Sequence, residues 1–363
     1  MSAEAELRVV AAAARAGVDP GALARRAGGA ARLLSAPASR LDALGVVPGL
    51  AGELAAARRA DIGEYVAELA GKGVVCVARS DTAYPAPLLE LADPPLAIFA
   101  AGAAAGPPPA IPGRALAIVG ARRAGAPALA LARRFAAFAA GSGVCIVSGL
   151  ALGVDAAGHK GALEAGGETV AVLGCGPDVA YPRTNARIHR RILETGLVLS
   201  EYPPGTPPAP WRFPARNRLI AALAGAVLVV EARARSGALI TADHALDLGR
   251  DVLAVPGWAG SSAAAGTNGL LKAGAGMIEN EEDLAAWLGL EPPSAAVPSA
   301  ADAALVEAAA AGPAHVEELA ERLGAPAAEL AAALSRLELD GWIGRDETGR
   351  YLALRPSGRA GRG

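Results

Sequence analysis

The 363-residue chain is short of aromatic side chains (4%), of cysteine (3) and of lysine, which supplies only 3 of its 34 basic residues. Cys76, Cys145 and Cys175 lie far apart with no C-x-x-C spacing, so they read as small buried residues of a reduced, cytoplasmic protein. The shortage of lysine fits a high-GC genome and bears on no function. Although 53% of the residues are hydrophobic, alanine supplies much of that fraction, and no run reaches the ~20 strongly apolar residues of a spanning helix. The opening "MSAEAELRVV" lacks the charged start and apolar centre of a signal peptide, so no membrane association is expected. A net charge of −2 excludes attraction of the whole chain to a polyanion.

What is present is unevenly placed. From Arg114 to Ile278 there are 17 Lys+Arg against 10 Asp+Glu, whereas Asp302 to Arg355 has 5 against 10. An anion-binding surface therefore belongs in the middle of the chain. The length allows two or three domains. Residues 1–72 read as short helices, with "LDALGVVPGLAGELAAARR" forming helix, tight turn, helix around Gly45, Pro48 and Gly49. Such a hairpin either offers turn amides to DNA phosphates or simply packs as a helical module, the commoner use. Residues 73–290 alternate helices with apolar runs: "LAIVGA", "VCIVSGL", "TVAVLGCG", "GLVLSEY", "AVLVVEA" and "DVLAVPG". Apolar strands of this kind predict an α/β domain with a Rossmann-like, doubly wound, mostly parallel sheet and a ligand at the strand carboxyl ends. The segment 74–102 is expected to add a strand and an edge.

A linker over 291–301 precedes a predicted winged helix at 302–356, and 357–363 reads as a disordered tail. The third helix of that winged helix offers Glu329, Arg336, Glu338 and Asp340, a poor set for reading bases in a major groove. A protein contact or a packing role suits it better.

Four stretches of the central domain are candidates for chemistry. "VGARRAGAP" (119–127) is neither a Walker loop nor G-x-G-x-x-G, yet a sheet-end turn with Arg122 and Arg123 suits an anion as well as it suits plain solvent. "SGLALGVDAAGH" (148–159) sets Asp155 one helical turn before His159. That pair suits hydrolysis or a metal, but no third ligand is evident and a structural cap is favoured. "RNRLIAALAG" places Arg216, Asn217 and Arg218 at an expected helix start, where arginine opposes the macrodipole unless a phosphate sits there. "EARARSGALITADHA" sets Ser236, Gly237 and Thr241 at another strand-to-helix turn, as a capped start or as further donors.

Taken in order, "IVGARRA", "SGLALGVDAAGHKGAL", "TVAVLGCGPDVAYPRTN", "LSEYPPG", "FPARNRLIAAL", "VVEARARSGALITADHAL" and "VPGWAGSSAAAGTNGLLKAGA" resemble the DNA-processing protein A (DprA/Smf) family over roughly 84–290. The resemblance implies a homodimeric, non-enzymatic protein that binds single-stranded DNA and helps load RecA recombinase during natural transformation or recombination. It implies phosphate contacts at Gly120, Ala121 and Arg122, at Ser148 and Gly149, and at Arg216, Asn217 and Arg218, with Ser236 and Gly237 on the same edge. Where the family commonly has serine this chain has Ala121, so its amide is expected to substitute for the hydroxyl. The family stacks a base on an aromatic near the R-N-R run; here Leu219 follows Arg218, so that role is either lost or carried by Phe213 or Trp211, with Phe213 better suited to fastening the loop.

No metal or cofactor is expected. The competing reading is a Rossmann-type nucleotide phosphoribohydrolase or another nucleotide-binding enzyme. Phosphoribohydrolases use a P-G-G-x-G-T-x-x-E run that this chain lacks, and a dinucleotide oxidoreductase would need a glycine fingerprint and a ribose-binding acid that are likewise missing.

Overall fold

Nine strands build the central sheet: β1 (Val74–Ala78), β2 (Ala97–Ala101), β3 (Ala115–Val119), β4 (Cys145–Ser148), β5 (Thr169–Leu173), β6 (Leu197–Ser200), β7 (Ala226–Val229), β8 (Asp251–Ala254) and β9 (Gly276–Met277). The computed structural model describes residues 3–106, 113–291, 300–339, 342–346 and 348–354, so the expected tail and nearly all of the expected linker lie outside the described residues. The strand order is β1-β2-β6-β5-β4-β3-β7-β8-β9. Neighbours from β6 to β9 pair in parallel, while β1 and β2 form an antiparallel edge, β2 also running antiparallel to β6. All six apolar runs are strands, as a sheet buried on both faces requires.

Burial alternates along the strands. Leu116 and Ile118 of β3 face the layer that holds helices Ala126–Gly141 and Glu281–Leu288, whose Phe135 and Leu284 are buried there. Ala117 and Val119 face the layer of helices Arg212–Leu223 and Gly237–Asp247, with Leu219, Ile220 and Ala242. The chain winds outward from β3 to β6 and then resumes on the other side of β3 at β7. This reversal puts the topological switch point between the carboxyl ends of β3 and β7, where open α/β sheets bind ligands.

The chain divides into two compact units, Met1–Leu290 and Glu291–Gly363. Within the first, the N-terminal helices share one apolar cluster with the sheet edge, Val9, Leu33, Leu50 and Leu54 packing with Val74 and Phe99. Buried Glu6 fixes this contact by accepting from the Ser80 amide (2.8 Å) and hydroxyl (2.7 Å) and from Arg79 (3.2 Å). In the second unit, helices Ala300–Ala310, Val316–Leu323 and Ala327–Leu339 precede an antiparallel pair, Ile343–Arg345 with Tyr351–Ala353, in helix–helix–helix–wing order. Leu305, Leu319, Leu334, Trp342 and Tyr351 form its core. Arg336 on the third helix bonds Asp302 (2.7 Å), and Arg345 pairs with Glu338 (3.0 Å). Among the described residues no helix is long and apolar enough to cross a membrane.

Candidate functional site

A cleft of about 440 Å³ opens at the switch point, lined by residues that follow β3, by those that follow β7, and by the helix Arg212–Leu223. The turn after β3 forms one wall. Gly153 holds a positive φ of 80° and lies so close to this turn that a Cβ there would fall 2.2 Å from the Ala121 carbonyl, so only glycine fits. The Ala121 amide donates to Glu231 O (2.7 Å), an internal bond that occupies the donor expected to replace a hydroxyl. Ala121 is thus a wall residue whose N–H is taken, and Gly120 beside it also lines the cleft.

Arg122 and Arg123 are exposed, and the Arg122 guanidinium stands 5.5 Å from the centre of the Phe213 ring. Phe213 in turn stacks on Tyr181, centroids 5.3 Å apart and planes inclined by 20°. The opposite wall carries Arg233 and Arg235, both exposed, then Ser236, whose hydroxyl caps the helix Gly237–Asp247 by accepting from the Ala238 amide (3.3 Å). Ser236, Gly237 and Ala238 line the cleft, so this helix presents its amino end to it. Asn217 bridges wall and floor, donating to Gly237 O (3.1 Å). Among the described residues none of Arg122, Arg123, Arg233 and Arg235 is within ion-pair distance of a carboxylate.

Several residues expected to contact phosphate lie beneath this surface. Ser148 is fully buried and its hydroxyl donates to Ile118 O (2.6 Å), because a serine at the end of an interior strand must find an internal acceptor. Gly149 lies under the floor, where a Cβ would fall 2.4 Å from the Arg216 guanidinium. Arg216 is 4% exposed. Its Nη1 donates to Gly149 O (3.0 Å) and to Val172 O, satisfying carbonyls at the ends of β4 and β5. Burial pushes the Arg216 pKa down to about 10, against the pull of nearby Asp155, so it stays charged at neutral pH. Asp155 accepts from the Gly149 (3.1 Å) and Ala151 (3.4 Å) amides; burial raises its pKa, and Arg216 and these amides oppose the rise.

The helix begins at Arg212, four residues before Arg216, because Pro214 fits a first turn in which its missing N–H costs nothing. The R-N-R run therefore occupies the second turn, away from the helix start. Arg218 points out of the cleft: Nε meets Asp93 (3.0 Å) and Nη2 meets Glu201 (2.9 Å). Burial opposes its charge, yet Glu201 and Asp93 outweigh that and raise its pKa. Leu219, 1% exposed, packs in the core and offers no face to a base. Trp211 is 54% exposed but lies outside the cleft lining, meeting Tyr202 edge-on at 6.2 Å. Phe213 alone of the three aromatic-site candidates lines the cleft, from within the first helical turn.

Asp155 and His159 do not pair. His159 Nδ1 meets Thr169 Oγ1 (2.8 Å), whose proton goes to Ile146 O (2.8 Å), which makes Nδ1 the donor. Burial, helped by the Arg216 charge, lowers the His159 pKa to about 3 and keeps the ring neutral. Among the described residues no group of three or more His, Cys, Asp or Glu is placed to hold a metal. Sequence reasoning passed over Arg233, Arg235 and Tyr181 as site residues. The signal for the two arginines was their position between a strand end and the Ser236 cap; Tyr181 carried none.

The DNA recombination-mediator protein A family model matches residues 75–289, and the DprA winged helix domain model matches 284–347. The chain is 38% identical to protein Smf of Escherichia coli strain K12 over 286 residues, 75% of each protein. It is 48% identical to DNA processing protein DprA of Streptococcus pneumoniae over 141 residues, 39% of this chain and 50% of that one. The solved structure of the Streptococcus pneumoniae protein superposes with a TM-score of 0.62 at 29% identity, covering 79% of this chain and 98% of that one. DNA processing protein A of Helicobacter pylori, whose structure concerns its single-stranded DNA binding mode, superposes with a TM-score of 0.51 at 29% identity, covering 60% and 94%.

Proposed function

Because the chain belongs to the DNA recombination-mediator protein A (DprA/Smf) family, we propose that it binds single-stranded DNA in the switch-point cleft and does so without catalysis. One observation supports this most directly. Four exposed arginines with no carboxylate partner among the described residues share a cleft with the amino end of a helix, and such a set is complementary to a run of phosphates. The acids near the cleft are engaged: Asp155 accepts two amides, and the Glu231 carboxylate meets the Gly125 amide at 3.4 Å. Phosphate donors with few base-edge readers give sequence-tolerant, salt-sensitive binding. Protection of incoming strands, RecA loading, a homodimeric state, a cytoplasmic setting and a role in transformation or recombination complete the proposal and rest on family membership.

A gel-shift series with a single-stranded oligonucleotide and its duplex, at two salt concentrations, tests the reading. Preferential single-strand binding that weakens steeply with salt is expected. Preference for duplex, salt-independent binding, or release of free base from a nucleoside monophosphate would overturn it, the last in favour of the phosphoribohydrolase.

A further inference from the structure

Trp258 is 85% exposed, the most exposed large apolar side chain among the described residues. An indole in water leaves roughly 200 Å² of aromatic surface unburied, so its position asks for a contact that the folded chain does not supply. The loop that presents it is firmly built. The Asn268 side-chain amide grips Gly257 on both sides, accepting from its N–H (3.1 Å) and donating to its carbonyl (3.0 Å). A turn from Trp258 O to the Ser261 amide (3.0 Å) closes the loop, and a Cβ on Gly257 would fall 2.3 Å from that of Ala264. Trp258 is thus held out on a rigid support.

Its place in the sheet gives the contact a chemistry. The loops after β3, β7 and β8 leave neighbouring strand ends, in steps of about 5 Å. Arg122 and Arg123 are on the first, Arg233 and Arg235 on the second, and Trp258 on the third. The cleft continues past the second of these loops. Arg235, Ser236 and Gly237 line the switch-point cleft and also a second groove of about 610 Å³, which reaches Ala265, Gly266, Gly269 and Leu270. Those four residues belong to the helix Ala265–Lys272, into which the Trp258 loop leads. Gly266 seats that helix on the arginine loop, its amide donating to Ala232 O (2.7 Å).

We propose that Trp258 stacks a base of the bound single strand where the phosphate track of Arg233 and Arg235 reaches the β8 end. The inference rests on the proposed single-strand binding by the cleft. An exposed ring on the loop one strand end away from arginines with no carboxylate partner among the described residues suits a polyanion whose bases are free to stack, and a duplex keeps its bases stacked on one another.

Fluorescence anisotropy of an end-labelled oligothymidine with the full chain, as wild type, Trp258→Ala, Trp258→Phe and Arg235→Ala, tests this. Trp258→Ala should weaken binding about 5- to 150-fold, the range for one base–aromatic stack, with an unchanged slope of log Kd against log salt. Trp258→Phe should retain most of the affinity while losing part of the tryptophan quenching that unlabelled oligothymidine produces. Arg235→Ala should lower the salt slope by about 0.7, one phosphate's share. Because the ring is exposed, none of the Trp258 variants should change Tm. Wild-type binding with an unaltered Trp258→Ala affinity would overturn the stacking role and leave the cleft reading standing; no wild-type binding would remove both. Loss of a dimer in Trp258→Ala, read by light scattering, would assign the ring to a second copy of the chain and also overturn the proposal.

Discussion

Two sets of arginines meet at the switch point, and they differ in what holds them. Arg216 and Arg218 are both engaged within the protein: one satisfies the carbonyls of Gly149 and Val172 beneath the cleft, the other turns away from the cleft and joins Asp93 to Glu201. Arg122, Arg123, Arg233 and Arg235 are exposed, and among the described residues none has a carboxylate within ion-pair distance. The inner set makes the site rigid and the outer set gives it a sign. A cation already hydrogen-bonded inside the protein has little left to offer a ligand, whereas a solvated, unpaired one can release counterions when it meets a phosphate. Proximity in sequence therefore misleads about role: Arg216 and Arg218 are part of the frame, and the arginines of the neighbouring loops are the surface.

The largest expected effect is at Arg216. Replacing it with alanine leaves Asp155 and two buried carbonyls without their cation, an expected loss of about 3–5 kcal/mol of stability. Denaturant unfolding monitored by circular dichroism measures it, and Asp155→Asn in the same chain should recover part of the loss, since the two residues interact. A stable Arg216→Ala protein that had lost only DNA affinity would move Arg216 to the outer set. Arg218→Ala should cost less, about 2–3 kcal/mol, because its partner Asp93 is 42% exposed and remains hydrated. Its salt slope for single-stranded DNA should match the wild type; a slope lowered by one phosphate would make it a DNA contact after all.

Most of the architecture was legible in the sequence because strands buried on both faces read as continuous apolar runs, and the six central runs are all strands. The two-residue β9 was too short to show. At the helix Arg212–Leu223 the legibility was partial for a definite reason. The helix was expected to start at the R-N-R run, whereas it begins at Arg212 and Pro214 is at home in its first turn. The inward face was nevertheless written in the spacing, since Arg216, Leu219, Ile220 and Leu223 follow the i, i+3, i+4, i+7 rule. The arginine on that stripe was read as a ligand contact because arginine at an expected helix start opposes the macrodipole unless a phosphate sits there, and its partners, the backbone carbonyls of β4 and β5, have no signature in sequence. Ser148 escaped for the same reason: its acceptor is the Ile118 carbonyl on the neighbouring strand. Stacking of Tyr181 on Phe213 joins residues 32 positions apart and depends wholly on tertiary placement.

The smallest expected effect in free energy is the most informative about the outer set. Removing Arg122 and Arg235 together takes one cation from each wall of the cleft and leaves every internal bond of the inner set in place. Tm should stay within about a degree, as surface substitutions of this kind change stability by less than about 0.5 kcal/mol. Affinity for a single strand should fall about 10- to 100-fold, on the order of 2 kcal/mol for two charge-assisted contacts. The salt slope should drop by about 1.4, two phosphates' worth. Isothermal titration across a salt series separates these terms. A change in Tm without a change in slope would mean that these two arginines also belong to the frame, and the division between the two sets would disappear. The opposite pattern, slope without Tm, is what a surface set against a rigid support requires, and it would stand out because the Arg216 and Arg218 variants are expected to give its mirror image.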